Sequence, residues 1–582
     1  MLLLEQFENL TLHPKNAASL KKLVLQLAVQ GKLTENWRRQ NPDVEPAANL
    51  LKRIEAEKAQ LVKEKMIKKE KPLEPVSEDE VPHALPENWA WLRLGELTYN
   101  FGQKIPDAIF SYIDVASVDN KRGVIGDLQT ILPNEAPSRA RKIVQEGCVI
   151  YSTVRPYLLN IALVEKNYEP GAIASTAFAI LNPLPSLDKK FLYYYLRSAP
   201  FIEYVKSQMI GVAYPAINDA KLLSGAVPLP PLAEQEVIVA RVEELMQKIE
   251  ELEKQTAERI WLKQHLGAAA LQQLTAATDE ELEQNLLFLK QHFQTIFDEA
   301  ANVKKLRETI LQLAVQGKLT ATWRTQNPTI EPASELLKRI QAKKAQLVKE
   351  KMIKKEKPLE LISEDEVPYS LPEGWVWCRL SNIILDTDAG KSPQCDNRSA
   401  APDEFGFIKT TAIQSLQFLP NENKAILKAD HANLKYEIKP GDILITRAGP
   451  RNRVGVVCAV TSTRDKLLLS DKTVRISLIA ENQVNARFLA VTLSTGASGD
   501  FLESKKSGMA DSQVNITQDN IKLTPVALPP LAEQEAIVAK VDQLMLLCDE
   551  LEQQIHQSKQ EAEALMHAVV QEALQVQEEV EL

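Results

Sequence analysis

The chain has 582 residues, 45% hydrophobic and 25% charged, with a formal net charge of −9, which implies several domains with real cores. No run reaches the ~18 apolar residues of a membrane-spanning helix. Glu5 and Glu8 stand where a secretory leader would be basic, and the five cysteines are scattered without a CxxC. Membrane, disulfide-framework and zinc-knuckle classes are thereby excluded as first readings, and the cytoplasm is the expected compartment.

In chain order the first elements are helical. Leu23–Leu33 packs apolar residues at helical spacing and runs into GKLT, where Gly31 reads as a stop signal. Asn49–Lys71, rich in Lys, Glu, Ala and Leu, predicts an exposed amphipathic helix ended by Pro72. Its KEKMIKKEK run reads as a solvated helix face, with a nucleic-acid arm as the alternative. The following insert, roughly 95–227, contains short strand-like runs at Tyr112–Val118, Cys148–Val154 and Ile173–Leu181, then a helical pattern at Lys189–Lys206. After LPPLAEQ, a helix begins with Val242, Leu245, Ile249 and Leu252 at alternating spacing.

The chain then repeats itself. Leu311–Leu380 matches Leu25–Leu94 at 54 of 70 positions, including an unbroken 17-residue run. Ile310–Leu319 with Gly317, and Glu335–Lys357 with Pro358, therefore predict the same two helices again. The second insert, roughly 381–526, shares little identity with the first. It has strand-like runs at Phe405–Thr410, Asp442–Thr446, Gly455–Ala459 and Val474–Leu478, and a helical pattern at Asn485–Glu503. The block from Leu528 then matches that from Leu229 at 14 of 18 positions, with an offset of 299. Beyond it Val541, Leu544, Cys548, Leu551, Ile555, Ser558, Ala562, Leu565 and Val569 form an a/d heptad stripe. Two equivalent helices with narrow apolar stripes predict an intrachain antiparallel coiled coil, the alternative being that each packs on its own insert. Near-identical frames around divergent inserts suggest two readers on one scaffold.

Catalytic signatures are missing: there is no HExxH, no Walker loop around Asp388–Ser392, no GxGxxG cofactor loop and no Asn-Pro-Pro-aromatic tetrad. A loose PD…(D/E)xK pattern occurs twice, from Asp107 to Lys121 and from Asp403 to Lys424, but the two are out of register at the repeat offset. The inserts suit nucleic acid better. Insert 95–224 has 13 Lys+Arg against 12 Asp+Glu and insert 381–523 has 18 against 16, so the acidity lies on the frames. In each insert a strand leads into a loop of Thr, Arg and Pro, behind Gly147 and Gly441. Thr153, Arg155 and Tyr157 mark the first loop, and Thr446, Arg447, Arg451 and Arg453 the second. Arginine offers a planar donor fork for guanine or phosphate, and threonine a hydroxyl.

With these features the chain resembles the specificity subunit of type I restriction-modification enzymes. The resemblance rests on LQLAVQGKLT in both halves, the lead-ins LPENWAWLRLGEL and LPEGWVWCRLSNI, and the LPPLAEQ block before a heptad helix. It extends to Gly390-Lys391-Ser392-Pro393 and Phe407-Ile408-Lys409-Thr410-Thr411, which look like that family's target-recognition domains. The first insert departs from this, reading FGQKIPDAIF where the second has DAGKSPQCDN. The resemblance implies mixed α/β target-recognition domains joined by long helices in an antiparallel coiled coil. The domains would run 1–85 (frame), 86–227 (first recognition domain), 228–300 (central spacer helix), 301–371 (second frame), 372–527 (second recognition domain) and 528–582 (C-terminal spacer helix). It also implies a chain without a catalytic centre or cofactor, in which each recognition domain reads half of a bipartite double-stranded DNA target. Lys391, Lys409 and Thr410 join the candidate contacts. The coiled coil would set the spacing. The frames would dock two methyltransferase subunits bringing S-adenosylmethionine, and endonuclease/translocase subunits would bring ATP and Mg. A stand-alone DNA-binding regulator, or a nuclease or methyltransferase in its own right, are the alternatives.

Overall fold

Apolar residues spaced three and four apart give each frame one buried entry helix. Asn16–Val29 turns Ala17, Leu20, Val24 and Ala28 inward, and Ala300–Val315 turns Val303, Ile310 and Ala314 inward. Both stop at the expected glycine, Gly31 and Gly317, whose φ values of 72° and 71° are left-handed. The computed structural model describes residues 16–575 except 70, 212–213, 354–359, 361, 393, 428–431 and 480–482.

The second helix of each frame is shorter than the sequence predicts, Ala47–Lys63 and Ala333–Lys349. Lys65 and Lys351 turn left-handed at φ 59° and 58°. The amides of Lys65 and Met66 then donate to the carbonyls of Val62 and Leu61, and those of Lys351 and Met352 to Val348 and Leu347. The helix closes on its own carbonyls before proline is reached. The expected second end at Lys357 and Pro358 lies outside the described residues, as do Pro393 and the side chain of Val569.

Each insert enters and leaves through one antiparallel strand pair. Ala90–Arg93 pairs with Ala226–Leu229, and Val376–Arg379 with Pro525–Leu528. Repeat identity stops at this neck. Arg93 locks the first neck, donating to Glu80 at 2.6 and 2.9 Å and to the carbonyls of Pro75 and Ser224 at 2.9 and 2.7 Å. Arg379 repeats this with Glu366 at 2.8 and 2.9 Å and the Leu523 carbonyl at 2.8 Å.

Inside the inserts the predicted strands form matching sheets. The first has the order Thr98–Tyr99, Phe178–Pro183, Val149–Ser152, Ile161–Leu163, and the second Ile384–Ala389, Thr473–Leu478, Ile443–Thr446, Val457–Ala459. Each predicted helical stretch is two helices. Lys189–Leu196 gives way to Ala199–Gln208 at Ser198, whose extended backbone is the N-cap of the second helix, with Pro200 in its first turn. Ala486–Ser494 gives way to Gly496–Ser504 at Thr495, also extended.

A second clasp joins frame to long helix. Glu234, with no exposed surface, accepts from the Thr34 hydroxyl at 2.6 Å, the Arg38 guanidinium at 2.5 Å and the Trp89 indole at 2.9 Å. Glu533 accepts from Thr320 at 2.7 Å, Arg324 at 2.5 Å and Trp375 at 2.8 Å. Gln235 and Gln534, also buried, take the amides of Asp188 and Asn485 at 2.7 and 2.8 Å.

The long helices, Leu232–Ala276 and Leu531–Gln575, are 45 residues each. The chain forms two compact units, Met1–Arg259 with Lys559–Leu582, and Ile260–Ser558. Each unit thus holds the beginning of one long helix and the end of the other, and the two helices pack together as an antiparallel pair. Their stripes, however, are covered first by the entry helices. In the first unit Val242, Leu245 and Ile249 share a core with Leu20 and Val24, Leu252 packing at its margin. In the second, Cys548 and Ile555 share one with Val303 and Ile310, with Leu544 and Leu551 packed against it, and Val541 lies with Leu311 and Val315. Leu551 also packs on the cluster of Ala270, Leu271 and Leu274 from the central helix. An entry helix that starts beside the long helix shields the apolar stripe before any distant partner does.

Glu533→Ala should destabilise the second unit by about 3 kcal/mol, because Thr320, Trp375 and the partly buried Arg324 lose their shared acceptor. Denaturant unfolding checks this. The Arg379 guanidinium, with the Ser363 amide and hydroxyl, holds the Glu366 carboxyl down at about 2, against an ordinary 4.5. A depressed carboxylate contributes its full stability above its ordinary value and loses it as pH falls toward 2. The gap in urea midpoint between the native chain and Glu366→Gln should therefore close between about pH 5 and about pH 2; a gap independent of pH would refute the linkage.

Candidate nucleic-acid interface

Strand Val149–Ser152 is buried along its length and paired on both edges, so the loop it feeds has a rigid base. Ile443–Thr446 is built the same way. Main-chain hydrogen bonds align the two loops. The Gly147 and Gly441 amides donate to Val164 and Val460, and the Ile217 and Ile516 amides, equivalent at the 299 offset, donate to the carbonyls of Thr153 and Arg447. By this alignment Thr153 matches Arg447, and Arg155 matches Gly449. The two arginines stand two residues apart on one backbone.

The loop threonines face inward. Thr153 is 7% exposed and donates its hydroxyl to the Ala177 carbonyl at 3.0 Å. Thr446, fully buried, donates to the Arg453 carbonyl and accepts from the Val456 amide at 3.0 Å. Arg155 sits at a left-handed φ of 49°, its guanidinium 4.8 Å above the exposed Tyr214 ring, with Tyr157 exposed beside it. The Nε atoms of Arg155 and Arg447 are enclosed and have no hydrogen-bond partner.

Arg453 is a strut: it donates to the carbonyls of Thr410 and Ile413 at 2.7 Å each and to Gln414 at 3.2 Å. It thereby brings the Arg447 loop against the segment carrying Lys409 and Thr410. The Lys409 ammonium lies 3.8 Å from Glu422. Arg451, half-exposed, pairs with Glu503 at 3.0 Å and Asp511 at 3.8 Å. Lys391 is exposed; its neighbour Ser392 bonds Asp471, and the Lys472 carbonyl accepts from the Arg447 amide. The second insert therefore gathers Lys391, Lys409, Arg447 and Arg451 around one loop. A cavity of about 510 Å³ opens beside Arg451, lined also by Asn452, Glu503 and Lys506 among others, and reached by none of Lys391, Lys409 and Arg447.

The nuclease-like pattern does not assemble. Asp107 pairs with Lys104 at 3.4 Å, Asp119 takes the amides of Lys121 and Arg122, and Glu422 takes the Thr411 hydroxyl at 2.6 Å. Among the described residues no three His, Cys, Asp or Glu side chains are grouped to hold a metal ion.

Sequence reasoning missed a hairpin that closes each loop. Ile210 pairs with Ala216, which also bridges Val154. Ser507–Ala510 pairs with Gln513–Asn515, which also pairs with Ala448–Gly449. The 299 offset, extended back from Leu229, aligns these segments; local similarity is too low to reveal them otherwise.

The family model described as the type I restriction modification DNA specificity domain matches residues 94–261 and 372–558. The chain is 38% identical over 564 residues to the type I restriction enzyme EcoEI specificity subunit of Escherichia coli, covering 95% of this chain and 93% of that protein. It is 34% identical over 568 residues to the EcoAI specificity subunit of Escherichia coli, with the same coverage of 95% and 93%. Among solved structures it is similar to the HsdS subunit from Thermoanaerobacter tengcongensis, with 24% identity, coverage of 85% and 98%, and a TM-score of 0.45. With two specificity domains on repeated frames, the chain belongs to the type I restriction-modification specificity subunits, the non-catalytic subunits that recognise the DNA target within the restriction-modification complex.

Proposed function

We propose that the chain reads a two-part target in double-stranded DNA, domain 86–227 reading one half and domain 372–527 the other. The observation that carries this is the repeated neck and sheet order beneath loops whose arginines stand at different positions. Arg155 and Tyr157 serve the first half-site, and Lys391, Lys409, Arg447 and Arg451 the second. Thr153, Thr446, Thr410 and Arg453 hold those loops in shape, the first two through their hydroxyls. The acidic frames dock two methyltransferase subunits, which bring S-adenosylmethionine, and endonuclease/translocase subunits add ATP and Mg. The paired long helices set the gap between half-sites. The complex works in the cytoplasm.

Three measurements test this. Methylation mapping in a host carrying the complex should return a bipartite motif, and exchanging residues 95–224 for another insert should change one half only. Arg155→Ala and Arg447→Ala should each weaken target binding by about 1–3 kcal/mol and relax their own half-site if they read base edges. A uniform loss across sequences would mark phosphate contacts instead. Four residues inserted at facing positions of both long helices add roughly 6 Å at ~1.5 Å per residue, a little under two base pairs at ~3.4 Å each. The gap should lengthen while both half-sites stay unchanged; a fixed gap would remove the helices as the ruler.

A further inference from the structure

On the reading of domain 86–227 as a DNA reader, we infer that Tyr214 positions Arg155 to contact a guanine, so that the first half-site carries a G·C pair met by the end of this guanidinium. Arg155 is half-buried, and its Nε is enclosed without an acceptor. Among the described residues no carboxylate or carbonyl takes a hydrogen bond from its guanidinium. What it does meet is the ring of Tyr214, 4.8 Å away. Arg197 in the same insert shows the contrasting case. It too stacks on a tyrosine, Tyr193 at 5.6 Å, but it gives its fork to the carbonyls of Ile161 and Asn120 at 3.2 and 3.0 Å. A partly buried cation with no acceptor is costly unless one arrives from outside. The backbone is also held at a cost here. Arg155 and Leu159, at φ 49° and 57°, flank the turn Pro156–Leu158 in the left-handed region that side chains disfavour.

Guanine is the acceptor that suits this setting. Its O6 and N7 lie side by side in one plane and match a guanidinium fork. With Nε shut in, the two Nη groups are what remain to meet them. A tyrosine face fixes the plane of the fork, which a base edge requires and a bare phosphate does not. Ring and guanidinium ride on joined backbone, because the Arg155 amide donates to the Pro215 carbonyl at 2.8 Å and Ala216 bridges Val154. The side chains around the fork point the same way. Tyr157, Leu158 and Tyr214 are 42%, 41% and 70% exposed, and none is a cation. Phosphate sites gather several cations, whereas one fork in an apolar rim lies well against base edges and thymine methyls.

The test uses the complete methyltransferase complex and duplexes of its mapped target. In the half-site that follows exchange of residues 95–224, each guanine on either strand is replaced in turn by 7-deazaguanine, which lacks N7. The native complex should lose on the order of tenfold in binding at one guanine. Arg155→Ala should bind the native and substituted duplexes alike at that position. Tyr214→Ala should approach the same indifference, while Tyr214→Phe, which keeps the ring, should discriminate as the native complex does. Combining Arg155→Ala with Tyr214→Ala should cost no more than Arg155→Ala alone, and every variant should still read the second half-site. A first half-site without a G·C pair, no loss at any 7-deazaguanine, or an Arg155-dependent loss seen only with methylphosphonate linkages overturns the guanine contact and leaves half-site reading intact. Native discrimination in Tyr214→Ala, loss of both half-sites in it, or additive losses in the double variant overturns the positioning role. Failure of the native complex to prefer its mapped duplex overturns both the guanine contact and the reading beneath it.

Discussion

A carboxylate with no exposed surface organises each half of this chain. Glu234 and Glu533 each draw together a turn after the entry helix, a tryptophan more than fifty residues later, and the first turn of a long helix. A buried charge persists only when its lone pairs are met, so these segments cannot separate without exposing an unmet group. The adjacent glutamine extends the constraint to the insert by taking the amide of the residue that caps an insert helix, Asp188 or Asn485. Glu and Gln in succession therefore fix the long helix against both frame and insert, which explains why AEQ is unchanged between halves that differ elsewhere.

The neck explains how the inserts diverge without disturbing this. Arg93 and Arg379 grip the insert side through the carbonyls of Ser224 and Leu523, and the Tyr195 hydroxyl donates to the Ala226 carbonyl at 2.6 Å. Main-chain acceptors are offered by every residue. At the neck itself the grip therefore does not depend on the insert's side chains at Ser224, Leu523 and Ala226. Beyond the neck the insert meets the frame through side chains as well, Ser186 on Glu57 at 2.8 Å and Thr495 on Gln312 at 3.0 Å.

Much of this was legible in sequence because it depends on periodicity or repetition. Apolar spacing found the entry helices, and Gly31 and Gly317 ended them correctly. Helix ends at Lys65 and Lys351 were not legible, since a left-handed lysine carries no sequence mark, whereas proline does. The apolar stripes of Val242–Leu252 and Val541–Ile555 were visible, but a stripe does not name its partner, and the entry helices cover it first. In the loops, Thr-Arg-Pro composition found the right strand ends. It could not show that Thr153 and Thr446 turn inward, because the hydroxyl of a threonine is equally suited to a carbonyl inside or a phosphate outside.

The apparent equivalence of Arg155 and Arg447 failed for an informative reason. Composition matched them, and backbone pairing sets them two positions apart. Arg447 directly follows the strand Ile443–Thr446, whereas Arg155 stands three residues past its strand in a left-handed turn, so the two side chains leave the backbone from different conformations as well as different positions. With neck and sheet alike, the two halves of this chain carry the loop arginine at different backbone positions. The residue left behind at the old site, Gly449 in one half and Thr153 in the other, is small enough to clear the way. Loop threonines that bind inward hydrogen bonds keep the backbone in place while this happens. The loops thus differ at positions the core does not use, while the inward hydrogen bonds of Thr153 and Thr446 hold the backbone beneath them.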